Sequence, residues 1–140
     1  MSTSIHPSAD PVLEPASIAS LNATSISSWD ANASFWDDFM GSDGNDFFCI
    51  LELPSVERFA AVKEGDRILD LATGNGLLAR RLVALGAIVT ATDASHRMLE
   101  FAEQRAQGGE SLKGKIEHGL LDVTSEEDLR GMVSRAEKVS

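Results

Sequence analysis

The feature that most constrains this chain is a short apolar run that breaks into a glycine turn, Ile68-Leu69-Asp70-Leu71-Ala72-Thr73-Gly74-Asn75-Gly76. A run of this length, bounded by turn residues, reads as a buried strand. Leu78, Leu82 and Leu85 follow at helical spacing, and Gly86 closes them. The pattern then repeats. Ala87 to Thr92 reads as a second strand, and Ser95 as the cap of a helix that carries Met98 and Ala102 and runs out at Gly108 and Gly109. Lys115 to Leu121 reads as a third strand, and Thr124 with Glu127 as a capping box for a last helix carrying Leu129, Met132, Val133 and Ala136. Strands alternating with helices of this length imply an α/β fold, with parallel pairing, right-handed crossovers and a ligand at the carboxyl ends of the strands.

The sequence before Arg67 has a different character. Of the 22 acidic and 12 basic residues that set the net charge of −10, residues 1–66 hold 11 acidic and 2 basic, while residues 67–140 hold 11 and 10. Such a balance argues against nucleic acid or an anionic bilayer as partner, and no stretch is apolar for long enough to span a membrane. The first 28 residues contain Pro7, Pro11, Pro15 and eight serines, with no Lys or Arg before Arg58. They read as a disordered lead without secretory or mitochondrial targeting character, so the expected location is cytoplasmic. Ser27 and Ser28 then read as caps of an amphipathic helix in which Trp29, Ala33, Trp36 and Met40 share a face until Gly41. Both tryptophans are expected to anchor that helix and not to touch a ligand. After the turn Gly41 to Asp46, Phe48, Leu51, Val56, Phe59 and Ala60 mark a second helical stretch, which Pro54 starts or kinks. The expected organisation is thus a lead over residues 1–28, a helical cap over 29–66, and a ligand-binding half over 67–140.

Gly74 and Gly76 let the backbone turn tightly beside a ligand, and the helix that follows presents free amides to an anionic group. Gly74-Asn75-Gly76-Leu77-Leu78-Ala79 also fits the dinucleotide fingerprint in its final-alanine form, which keeps a nicotinamide or flavin site as an alternative. Asp70 opposes it. A carboxylate within an apolar run is costly unless a charge compensates it; a ligand cation would do so, whereas a pyrophosphate would be repelled. Asp93 ends the second strand, 23 residues after Asp70, where it can accept from both ribose hydroxyls, and Asp122 ends the third. Three carboxylates at successive strand ends would line one edge of a sheet. His6, His96 and His118 are too scattered for metal-ligand spacing, so no metal is expected. His118 is expected on the face opposite Ile116. Cys49, with no basic neighbour, reads as a buried structural thiol. No catalytic base is assigned.

The run Arg67 to Gly76, followed by Thr90-Ala91-Thr92-Asp93-Ala94-Ser95 and Met98-Leu99, resembles motif I and the following acidic motif of class I S-adenosylmethionine-dependent methyltransferases. Trp29 to Asn45 resembles the N-terminal helical cap of small-molecule members, and the resemblance covers about residues 28–125. It implies a Rossmann-like methyltransferase fold, cut short after the third parallel strand, with S-adenosylmethionine as cofactor and a small-molecule methyl acceptor. By the same resemblance Asp70 faces the methionine amine, and Ala72, Thr73, Gly74, Asn75 and Gly76 wrap the methionine part. Asp93 holds the ribose, Ala94 lies beside the adenine, and Asp122 with Val123 approaches the adenine edge. The family usually has glycine where this chain has Ala72. A first strand lacking its next neighbour would leave an open edge, which a protein partner could complete. The readings are therefore methyl transfer, an inactive cofactor-binding or partner-pairing fragment, and, third, an NAD(P)-dependent oxidoreductase.

Overall fold

The computed structural model describes residues 15–107 and 113–137. Helix α1 runs from Pro15 to Met40, and Gly41, at φ 66°, ends it. After a turn, Asn45 accepts from the Phe48 amide (2.9 Å) and opens a π-helical turn, Phe48–Glu52, that leads into α2, Leu53–Ala60. Pro54 sits in the first turn of α2, where its missing N–H leaves no bond unmade. Then come β1 (Arg67–Leu71), α3 (Leu77–Ala84), β2 (Ile88–Asp93), α4 (His96–Gln107), β3 (Lys115–Leu120) and α5 (Glu126–Glu137).

The three strands form one parallel sheet in the order β1-β2-β3, a Rossmann-like arrangement. Two successive right-handed crossovers in the same direction place α3 and α4 on one side of it. The register aligns Ile68 with Val89 and Val89 with Ile116, so these residues share a face. That face packs on Ala79, Leu82 and Val83 of α3 to form the main core, while Met98, Leu99 and Ala102 bury one side of α4. On the opposite face Leu69, Leu71 and Ile88 stay exposed. His118 pairs in register with Ala91, and therefore lies on the same face as Ile116; the expectation of opposite faces is corrected by the period of two. Its half-buried imidazole is pushed below the usual histidine range, chiefly by burial.

Four further expectations change. Residues 1–14 of the expected lead lie outside the described residues, but residues 15–28 are the first half of α1 and not an unstructured lead. Ser28 does not cap a helix there. Its hydroxyl donates to the Thr24 carbonyl (2.8 Å), as Thr24 does to Ser20 (2.9 Å), so these side chains bond to the preceding turn and the helix continues through them. The cap of α5 is Ser125, whose hydroxyl accepts from the Asp128 amide (3.2 Å), because Thr124 is engaged with Asp122. Cys49 is exposed, its thiol donating to the Asp43 carbonyl (3.3 Å).

Helix α1 lies against α4 and is fixed at polar stations seven or eight residues apart, on one helical face. At Asp37 the buried carboxylate accepts from Arg105 Nε (3.0 Å) and Nη2 (2.9 Å) of α4, and from Asn75 Nδ2 (3.0 Å) of the glycine turn. At Asp30 the carboxylate accepts from Ser95 Oγ (2.5 Å) and the Arg97 amide (3.2 Å), at the positive end of α4. At Asn22 the side-chain amide donates to Asp122 Oδ2 (2.7 Å) and Thr124 Oγ1 (2.9 Å). Ala33, fully buried between the first two stations, lets the helices approach closely.

Burial alone would raise the Asp37 carboxyl, but the bonds from Arg105 and Asn75 and the charges of Arg105 and Arg80 outweigh it and hold it below the usual range. Its stabilisation is therefore present above the ordinary aspartate range and is lost as pH falls through the lowered value. Asp37→Ala, which removes the partner of a part-exposed guanidinium and of a buried amide, is expected to cost about 2 kcal/mol in denaturant unfolding. In the Arg105→Ala background the same change should cost much less; equal costs in both backgrounds would show that the pair is not coupled.

Candidate functional site

The site forms where β1, β2 and β3 end. Between β1 and α3 the backbone adopts left-handed φ at Ala72 (56°), Gly74 (58°) and Gly76 (74°). A side chain at Gly76 would be strained at φ 74°, and its Cβ would lie 3.0 Å from the Ala102 Cβ, so α4 would have to give by a few tenths of an ångström. Thr73 is buried, its amide donating to the Thr92 carbonyl (2.9 Å) and its hydroxyl to Asp70 Oδ2 (2.7 Å). Asn75 is also buried and turns its side chain to Asp37, away from any ligand. No side chain caps α3, whose N-cap position is Gly76.

The three strand-end carboxylates have different surroundings. Asp70 is half-buried and is pushed above the usual range, first by burial and then by the charge of Asp93, with the Thr73 hydroxyl opposing. Asp93 accepts from the Gly74 amide through Oδ2 and from the Ser95 amide through Oδ1, each at 2.9 Å, so it joins the glycine turn to the start of α4. Asp122 is held below the usual range, chiefly because Oδ1 accepts from the Thr124 hydroxyl (2.7 Å) and amide (2.8 Å). Among the described residues no ion pair reaches any of the three.

A cavity of about 380 Å³, within the range of small-molecule sites, lies beside this edge. Ala72, Gly74, Asp93 and Ala94 line it from the first two strand ends, and Leu121, Asp122 and Val123 from the third, with Met98 from α4. Helix α1 roofs it with Asn22, Ser25, Ile26, Trp29 and Trp36. Of the residues singled out in the sequence, Ala72, Gly74, Asp93, Ala94, Asp122 and Val123 therefore line the cavity. Asp70, Thr73, Asn75 and Gly76 are not among its lining residues. Both tryptophans, expected to serve only as anchors, face the cavity, with their rings edge-on at 5.7 Å. Asn22, Ser25 and Ile26 were missed because the helix was expected to begin after them; the Trp29 and Trp36 stripe, continued backwards at helical spacing, reaches Ile26 and Asn22.

Residues 68–135, from the body of β1 to the body of α5, match the family model described as a methyltransferase domain. This segment is similar to a methyltransferase domain. Sixty residues of the chain are 41% identical to the mitochondrial ubiquinone biosynthesis O-methyltransferase of Schizosaccharomyces pombe, covering 41% of this chain and 22% of that protein. Among solved structures, a DhpI complex with SAH is 25% identical, at a TM-score of 0.48, over 71% of this chain and 45% of that one. A short chain dehydrogenase from Mycobacterium smegmatis is 33% identical, at a TM-score of 0.45, over 56% of this chain and 33% of that one. The matched segment thus sits in a chain that spans less than half the length of each of these relatives.

Two outcomes follow from the turn. Ala72→Gly relieves a left-handed alanine, a gain of about 1 kcal/mol set against about 0.5 kcal/mol of extra freedom in the unfolded chain. Unfolding should show a small net stabilisation; a loss above about 1 kcal/mol would mean that the Ala72 methyl packs against something that matters. Asp70→Asn should raise the melting temperature at pH 7. The folded carboxyl is raised above the unfolded value, so its ionised form is a cost that is present at neutral pH and disappears as pH falls through the raised value. The advantage of the variant should shrink toward pH 4, and an advantage constant with pH would contradict the assignment.

Proposed function

We propose that this chain binds S-adenosylmethionine in the cavity between α1 and the strand ends, and belongs to a protein that transfers its methyl group to a small molecule. The observation that carries this reading is Asp70. It is a half-buried carboxylate, raised by burial and by Asp93, beside a turn of three left-handed residues and an uncapped helix start. Such an edge calls for a ligand with a cation near Asp70, hydroxyl donors for Asp93 and an anionic group for the free amides. An amino acid joined to a nucleoside has all three.

The residues present fit that group. Asp70 would hold the ammonium, Gly74 and its neighbours the amino-acid backbone, and Asp93 the ribose hydroxyls. Ala94 and Val123 would flank the base, and Asp122 would accept from its amine. Bound there, the cofactor supplies an electrophilic methyl on a sulfonium. The chain's own contribution is to orient: Asp93 fixes the turn through Gly74, and Trp29 and Trp36 keep water from the roofed side. A second cavity of about 320 Å³, lined by Trp29, Asn32, Phe35 and Trp36, lies on the outer side of the same two rings and is the place proposed for the acceptor. Among the described residues no helix is long and apolar enough to cross a membrane, and the proposed location is cytoplasmic.

The glycine pattern also supports a dinucleotide site, but Asp70 then meets a pyrophosphate with no compensating charge. Exposed Leu69 and Leu71 favour a second reading, a binding fragment that works with a protein partner covering that sheet face. Calorimetric titration of the chain with S-adenosylhomocysteine and with NADH separates the ligand classes. Saturable binding of the first alone is expected, and Asp93→Ala should weaken it by about ten-fold or more. Saturable NADH binding without adenosyl-ligand binding would overturn the proposal.

A further inference from the structure

Among the contacts of α1, the one at Asn22 reaches the far end of the cavity. Asn22 is half-buried, a hundred positions in sequence before its partner Asp122, and it lines the cavity alongside Asp122 and Val123. Its amide can point only one way. Carboxylate oxygens accept and never donate when ionised, and Asp122 is held ionised, so the NH₂ end must face it. That end donates to Asp122 Oδ2 at 2.7 Å and to Thr124 Oγ1 at 2.9 Å, and Thr124 in turn donates to Asp122 Oδ1 at 2.7 Å. Both hydrogens of the amide are used. The group left over is its carbonyl oxygen, an acceptor with no hydrogen-bond donor among the described residues.

Building on the cofactor reading above, we propose that Asn22 is a specificity residue for the base. The cap helix offers its amide carbonyl, beside the Asp122 carboxylate, as paired acceptors for an exocyclic amine. Two acceptors side by side welcome a donor and reject a carbonyl, so the pair selects a 6-aminopurine over a 6-oxopurine. The bond from Asn22 also keeps Asp122 Oδ2 oriented, so the helix reads the base both directly and through its partner.

The test compares S-adenosylhomocysteine with its inosine counterpart, which carries a carbonyl in place of the amine. The unsubstituted chain should prefer the adenosine ligand by about thirty-fold or more. Asn22→Ala, a favourable helix residue at a helical position, should keep the melting temperature within a few degrees and weaken the adenosine ligand by about ten-fold. The inosine ligand should change little, so the preference narrows. Asn22→Asp places a second carboxylate against Asp122. It should weaken adenosine binding further at pH 8 than at pH 5, where one of the two acids takes up a proton. If the unsubstituted chain binds the adenosine ligand but Asn22→Ala leaves both affinity and preference unchanged, the role of Asn22 is overturned while the cofactor reading stands. If the two ligands weaken equally, Asn22 only holds the roof and the specificity role is likewise overturned. If the unsubstituted chain binds neither, the cofactor reading fails and the inference falls with it.

Discussion

The Asp37 carboxylate joins three stretches of chain that local sequence keeps far apart. It receives two bonds from Arg105 on α4 and one from Asn75 in the turn between β1 and α3, while it stands on the last turns of α1. Arg105 also donates to Ser42 Oγ (2.6 Å), and Arg80 to the Asn75 carbonyl (2.6 Å) and the Ser42 carbonyl (3.0 Å), so the end of α1 is laced to both helices that cover the sheet. The glycine turn has three left-handed residues and little side-chain bulk. Its shape is held from outside, by Asp37 through Asn75 and by Asp93 through the Gly74 amide. The C-terminal turns of α1 and the loop beneath them are thus one cooperative unit.

The row of strand-end carboxylates shows how one residue type acquires different chemistry from its neighbours. Asp122 has hydrogen-bond donors from Thr124 and Asn22 and stays readily ionised. Asp70 has one hydroxyl, more burial and a like charge nearby, and resists ionisation. The sheet sets their spacing, and the loops set their protonation.

The half of the fold after Arg67 was legible because its signals are local. Ile68 and Val89 stand in short apolar runs, Ala91 and Ile116 lie between polar neighbours, and glycines mark the turns. The boundaries of β1, β2 and β3 fall within a residue of those expected. The row of Asp70, Asp93 and Asp122 was legible for the same reason, since each follows an apolar run. What escaped was set by distant partners. The first half of α1 is rich in serine and threonine, which suggests a break, but their hydroxyls are absorbed by the preceding turn. The residues on its inner face, Asn22 and Asp30, find their partners on Asp122 and Ser95. Asn75 lies within the glycine turn, which the sequence suggests as a ligand loop, yet its side chain is committed to Asp37, which no spacing along the chain foretells. Adjacent hydroxyl residues Thr124 and Ser125 are equivalent as caps until Asp122 engages one of them.

The stations along α1 are unequal in strength. At the Gly41 end the helix is held by a part-buried ion pair and a web of guanidinium bonds; at Asp30 by a carboxylate on a helix start; at Asn22 by a neutral amide. Breaking the first leaves charges stranded out of water, whereas breaking the last returns an amide to solvent at little cost. The hold on α1 therefore strengthens from Asn22 toward Gly41. The part of the cavity beside Asp122 thus lies under the weakest of the three stations, and the glycine turn is tied to the strongest.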